Sequence, residues 1–82
     1  MKLKKQLLLQ KMGKVFVAYD NENSTLYEFN EVGFFILEKI KQGLSKEQVI
    51  KIITEEFGVK KEKARSDCTN FIKKIKKLGL VN

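Results

Sequence analysis

The side chains that most often carry out chemistry are scarce in this 82-residue sequence. It has no histidine and a single cysteine, Cys68. Without histidine, no triad or dyad that uses imidazole as its base can be assembled, and a zinc site of the Cys/His kind lacks ligands. Cys68 has no histidine to activate it and no second cysteine to resolve it. It reads as a small buried hydrophobe. A disulfide within the chain is impossible, which points to a reducing compartment. No phosphate loop and no metal-ligand spacing occurs. These residue types predict no catalytic residue, no metal and no cofactor.

Cationic charge is what the chain has in excess. Seventeen Lys and Arg against ten Asp and Glu give a net charge of +7. That excess favours an anionic partner, such as nucleic acid, an acidic peptide or an acidic protein surface, although a lysine-rich surface also serves solubility alone. With 43% hydrophobic and 33% charged residues, the composition is that of a folded domain. The length allows one domain over residues 1–82. A domain this small has little room for a water-free pocket beside its own core, and function is expected on a groove, an edge or a surface. Leu7-Leu8-Leu9 is too short for a signal or membrane segment. No membrane contact and a cytoplasmic location are expected.

The elements that would position such a surface change character once, near Asn30. Residues 6–10 carry three leucines and predict a first strand. Met12-Gly13-Lys14 reads as a turn, and Val15-Phe16-Val17-Ala18-Tyr19 as a second strand. Residues 20–24 form a polar turn cluster. Thr25-Leu26-Tyr27-Glu28-Phe29 alternates as a third strand, hairpin-paired to the second. Asn30 fits a helix N-cap with Glu31 in the first turn. Val32, Phe35, Ile36 and Ile40 follow at helical spacing, widened by Phe34 and Leu37, with Gly43 as the stop. Ser45-Lys46-Glu47-Gln48 is a capping box opening a second helix that Gly58 ends. A third helix runs over residues 61–78, closed by Gly79, with Leu80-Val81 folding back onto the core. The fold class is α+β: three antiparallel strands followed by three helices that cover one face of the sheet.

On the third helix, Ala64, Cys68, Phe71, Ile75 and Leu78 fall in a stripe roughly 80° wide at 100° per residue, which predicts its buried face. Ile72 lies beyond one side of the stripe, next to Arg65 and Lys76. It reads either as a groove wall or as the margin of a broad core face. Asp67 and Lys74 occupy the other flank. An uncovered edge strand offers free N–H and C=O groups, and proteins capture extended peptides by adding them to such an edge. If the third strand is that edge and the third helix lies alongside, a groove forms. Its floor is Thr25, Leu26, Tyr27, Glu28 and Phe29; its wall is Arg65, Cys68, Thr69, Ile72 and Lys76.

Several stretches resemble one family. Val17-Ala18-Tyr19-Asp20 followed by Leu26-Tyr27-Glu28-Phe29-Asn30-Glu31 is similar to its strand, turn and strand-to-helix junction. Glu55-Glu56-Phe57-Gly58-Val59 resembles the end of its second helix. Asp67, Phe71-Ile72, Ile75 and Leu78-Gly79-Leu80-Val81 resemble its closing pattern. The family is that of PqqD-like proteins, the recognition elements of ribosomally made, post-translationally modified peptide pathways. The resemblance extends from about Leu7 to Val81. Phe29 stands where the family favours leucine, Leu37 where it has tryptophan, and Lys41-Gln42 where it has an acidic residue. The resemblance implies a winged helix-turn-helix-like fold. It also implies binding of a precursor's leader peptide as an added strand between the third strand and the third helix. The leader would be presented to a modifying enzyme of the same pathway: a radical SAM enzyme, a cyclodehydratase or a lasso-type leader protease. A monomer or a strand-paired dimer fits a free edge.

The rival reading is a winged-helix DNA-binding protein, which the net charge and the lysine-rich third helix favour. Only four residues follow Leu78, too few for a wing hairpin. One Arg and one Asn are thin resources for reading bases, and nucleic acid is not the expected partner.

Overall fold

The computed structural model describes residues 1–81. Strands β1 (Leu7–Met12), β2 (Val15–Asp20) and β3 (Thr25–Phe29) precede helices α1 (Glu31–Lys41), α2 (Lys46–Phe57) and α3 (Lys61–Lys77). The expected α+β order of three strands and three helices is what the chain adopts. The sheet is antiparallel in the order β1-β2-β3. β1 starts one residue later and runs two residues further than the leucines suggested, because its pairing with β2 continues to Met12 opposite Val15. Gly13 then supplies the positive φ (+60°) that a two-residue hairpin turn requires.

Register assigns the two faces. Leu9, Ala18 and Tyr27 form one cross-strand row, flanked by Leu7-Asp20-Thr25 and Lys11-Phe16-Phe29. Leu7, Ala18 and Phe29 are buried under the helices, and Tyr27 is half-buried. The alternation in β3 is thereby resolved: Thr25, Tyr27 and Phe29 face the helices, while Leu26 and Glu28 face outward and are exposed.

α1 lies between the sheet and α2, and both its flanks are covered. Phe34 meets Phe16 of β2 with ring centroids 5.2 Å apart, and Phe35 meets Phe57 of α2 edge-on at 5.2 Å. The most buried residues of α1 are Phe34, Ile36, Leu37 and Ile40. The two residues read only as widening the stripe are therefore central to it, and Val32 and Phe35 are half-buried. The capping residues act as read. The Asn30 side chain accepts a hydrogen bond from the Gly33 N–H at 2.8 Å. Ser45 and Gln48 exchange side-chain and backbone bonds at 2.8 and 3.2 Å.

α3 departs from the wheel at two positions. Ile72 is buried, 8% exposed, alongside Ala64, Cys68 and Ile75, whereas Leu78 is 41% exposed. Leu78 already caps the helix. Gly79 turns the chain with φ +78°, and the Leu80 N–H bonds back to the Ile75 carbonyl at 2.9 Å. This left-handed C-terminal motif puts Leu80, fully buried, into the core in place of Leu78. The Lys4 N–H donates to the Leu80 carbonyl at 2.9 Å, and Leu3 bridges Val81.

Candidate functional site

β3 is an edge strand. β2 pairs with one side of it, and among the described residues no strand pairs with the other. The side chains bordering this free edge are aromatic on the helix side. Tyr27 and Phe29 stack with centroids 6.5 Å apart, and Phe29 meets Phe71 of α3 edge-on at 5.5 Å. The Lys74 ammonium sits 6.0 Å from the Phe29 ring centroid, at the outer reach of a cation–π contact. β3 and α3 are thus joined by one aromatic contact roofed by a cation.

Beside that contact opens a recess of about 370 Å³ between α1 and α3. Val32, Gly33 and Ile36 line one wall; Asp67, Asn70, Phe71 and Lys74 line the other, with Asn30 at the junction. Gly33 lets the walls approach. A Cβ at this position would lie 2.8 Å from Phe71 Cε1, closer than carbon atoms tolerate. Charge on the α3 wall is mixed. Lys63 lies 3.4 Å from Asp67 one helical turn away, an exposed pair of small energetic value, and Lys74 carries no ion pair among the described residues.

The expected floor residues are all on β3. Tyr27 and Phe29 face the helices with Thr25 on the same side, while Leu26 and Glu28 point to the opposite face of the sheet. The structure places the expected α3 wall residues beside α2. Residues 58–60 fold α3 back along α2, so that the line Arg65-Thr69-Ile72-Lys76 faces α2 and not β3. Arg65 donates to both carboxylate oxygens of Glu47 in the first turn of α2, at 2.7 and 3.1 Å. That pairing holds the Glu47 carboxyl below the usual carboxylate range and raises the guanidinium further. Thr69, Ile72 and Lys76 line a separate recess with Ser45 and Lys46. Cys68 is fully buried and lines neither recess. Burial pushes its thiol pKa up, which leaves it inert.

The α3 residues that meet β3 are Phe71 and Lys74, both at Phe29, while Asp67 and Asn70 line the recess against α1. Sequence reasoning put Asp67 and Lys74 on the other side of the stripe and Phe71 inside it. The missed signal was Gly33 in α1, a gap in an otherwise bulky helix that an aromatic ring of a neighbouring element can enter.

What the arrangement can do chemically is bind. The free edge offers backbone donors and acceptors, and the aromatic recess accepts an apolar side chain. Among the described residues no group of His, Cys, Asp or Glu could hold a metal ion, and no helix is long and apolar enough to cross a membrane.

This fold has solved counterparts. One chain, described as "TbiB1 in Complex with the TbiA(beta) Leader Peptide", superposes with a TM-score of 0.88 at 18% identity, over 100% of this chain and 95% of that one. A second, "Lasso peptide synthetase B1 complexed with the leader peptide", gives 0.85 at 18% identity over 99% and 95%. At that identity the likeness is one of fold. No curated protein matches the chain in sequence. The profile of one family matches residues 16–81, from the second strand to the buried C-terminal return. With the order of elements, the free β3 edge and the closing Leu80-Val81 in place, the chain belongs to the PqqD family, described as coenzyme PQQ synthesis protein D.

Proposed function

We propose that this chain is a non-catalytic carrier that binds the leader region of a ribosomally made precursor peptide in the cytoplasm and presents it to a modifying enzyme. The leader adds to the free edge of β3 as a fourth strand, Thr25 to Phe29 supplying the backbone partners. One apolar leader side chain enters the recess between α1 and α3 against Phe71, and Lys74 favours an acidic residue nearby. The observation that carries this reading is the unpaired β3 edge beside an aromatic recess. Membership of the PqqD family supports it, as does a fold shared with two proteins solved with leader peptides bound. The modifying enzyme is a radical SAM enzyme, a cyclodehydratase or a lasso-type leader protease.

The test is a fluorescence-polarisation titration of a candidate leader peptide. Binding in the micromolar to nanomolar range corresponds to about 8–12 kcal/mol. Phe71→Ala removes the ring that bridges cleft and strand and weakens binding roughly tenfold or more. Lys74→Glu slows association with an acidic leader, an effect that fades as salt screens it. Full affinity retained in both variants, with melting curves intact, overturns the cleft assignment.

A further inference from the structure

α3 has a second lined flank, and it is electrostatically unlike the first. Between the start of α2 and the side of α3 turned away from β3 lies a recess of about 450 Å³. Its apolar lining is Ile72 with Met1, and Lys46, Lys73 and Lys76 line it together with Ser45 and Thr69. No acidic side chain among the described residues lines it. The nearest acid in sequence, Glu47, is committed to Arg65 through both carboxylate oxygens. None of the three lysines makes an ion pair among the described residues, whereas Lys4 and Lys63 both do. Lys46 also opens α2, where the helix dipole opposes a cation. Three like charges beside an apolar lining repel one another and cost stability. A complementary ligand removes that cost.

We propose that this recess is a second docking surface, which takes an acidic protein segment carrying one apolar side chain. The carboxylates meet the lysines and the apolar group covers Ile72. The apolar lining is the reason to choose protein over nucleic acid: a phosphate backbone matches the lysines and leaves the apolar lining bare. The recess and the β3 cleft lie on opposite flanks of α3. Occupancy of one leaves the other open, and the inference does not depend on what the cleft holds.

The test uses the full isotope-labelled chain and a probe peptide of alternating glutamate and leucine, followed by amide and methyl NMR shifts. The expected shifts fall on Lys46, Thr69, Ile72 and Lys76, and they persist in Phe71→Ala, in which the β3 cleft is disabled. The double variant Lys46→Glu/Lys76→Glu loses roughly tenfold or more in affinity. Lys11→Glu/Lys51→Glu, with the same change in net charge elsewhere, stays within about twofold. Replacing the probe's glutamates by glutamine abolishes binding. Lys46→Glu alone raises the melting temperature, because it relieves repulsion and suits the helix start, which also guards against an unfolded variant. Four outcomes overturn the proposal: shifts spread over all lysines, equal losses in the two double variants, a lowered melting temperature for Lys46→Glu, or oligothymidylate binding the same residues more tightly than the peptide.

Discussion

Gly33 ties the cleft to a single missing atom. An added Cβ would lie 2.8 Å from Phe71 Cε1 and 3.1 Å from Asn30 Oδ1. The Phe71 ring is half-buried and can swing away. Alanine also gains about 1 kcal/mol of helix propensity over glycine. Gly33→Ala is expected to change stability by no more than about 1 kcal/mol in urea unfolding while displacing the ring that forms the recess wall. Leader affinity should fall roughly tenfold. A large loss of stability, or unchanged affinity, would contradict that role for Gly33. Asp20 sits at the opposite extreme, a carboxylate only 1% exposed. It accepts from the Lys4 ammonium at 3.0 Å, from the Glu22 and Asn23 N–H groups and from the Asn23 side chain. The Lys4 bond, above all, holds its pKa below the ordinary value of 3.8, outweighing desolvation. A carboxyl whose folded pKa is depressed stabilises the fold above its unfolded pKa and loses that contribution as pH falls through the folded one. The chain should therefore lose stability below about pH 4. Asp20→Asn should be less stable than the parent at pH 7, with the difference shrinking at pH 2 to 3. A constant difference across that range would exclude Asp20 as a source of the acid sensitivity.

At the scale of elements, most boundaries of the helices were legible because they are written in local chemistry, the start of α3 at the uncapped Lys60 excepted. Asn30 and the Ser45-Gln48 box specify where α1 and α2 begin, and Gly43, Gly58 and Gly79 adopt the positive φ that ends each helix. β3 was legible to the residue from its alternation. The side of α3 that meets β3 was not. A helical wheel divides a helix into faces without saying which neighbour each face meets, and the three-residue connection after α2 decides that. Because α3 folds back along α2, Arg65, Thr69, Ile72 and Lys76 went to α2, leaving Phe71 and Lys74 to meet Phe29 of β3 and Asp67 and Asn70 to line the recess against α1. Leu78 was misread for a related reason: periodicity continues through a helix end, but the chain does not. This assignment of flanks predicts opposite behaviour for two apolar residues one position apart. Ile72→Ala, in the core, should cost about 2–4 kcal/mol in unfolding with little change in leader affinity under folding conditions. Phe71→Ala, half-buried at the cleft, should cost less stability and most of the affinity. Paired unfolding and binding curves separate the two, and a reversed order would restore the original wall.

At the scale of the whole molecule, the two chain ends close the structure. The sheet and the helices share one buried cluster in which Leu7, Leu37, Ile50, Ile75 and Leu80 are almost fully enclosed. Leu80 does more than fill it. Its N–H bonds to the Ile75 carbonyl, its own carbonyl accepts from the Lys4 N–H, and Val81 bridges Leu3. Lys4 in turn reaches Asp20 at the β2–β3 turn. The buried Leu80 side chain thus holds in place a backbone whose bonds anchor the segment that leads into β1, and through Lys4 the turn that leads into β3. Leu80→Ala removes buried carbon from a core that has no alternative filler, since Leu78 is already turned outward by the helix cap. Such truncations cost about 2–5 kcal/mol, a large share of the roughly 5–15 kcal/mol that holds a domain together, and a chain this short lies toward the low end. The melting temperature should fall by roughly 10–30 °C, at about 4–8 °C per kcal/mol for this size. Leu26→Ala, at a β3 side chain 61% exposed, should shift it by no more than a few degrees. Hydrogen exchange adds a second reading. In Leu80→Ala the amides of Lys4 and Leu7 should lose protection ahead of those paired between β2 and β3, because the closure opens before the hairpin. Simultaneous loss in both regions would mean that the ends belong to the same cooperative unit as the sheet, and that β3 depends on the C-terminal return for its place at the cleft.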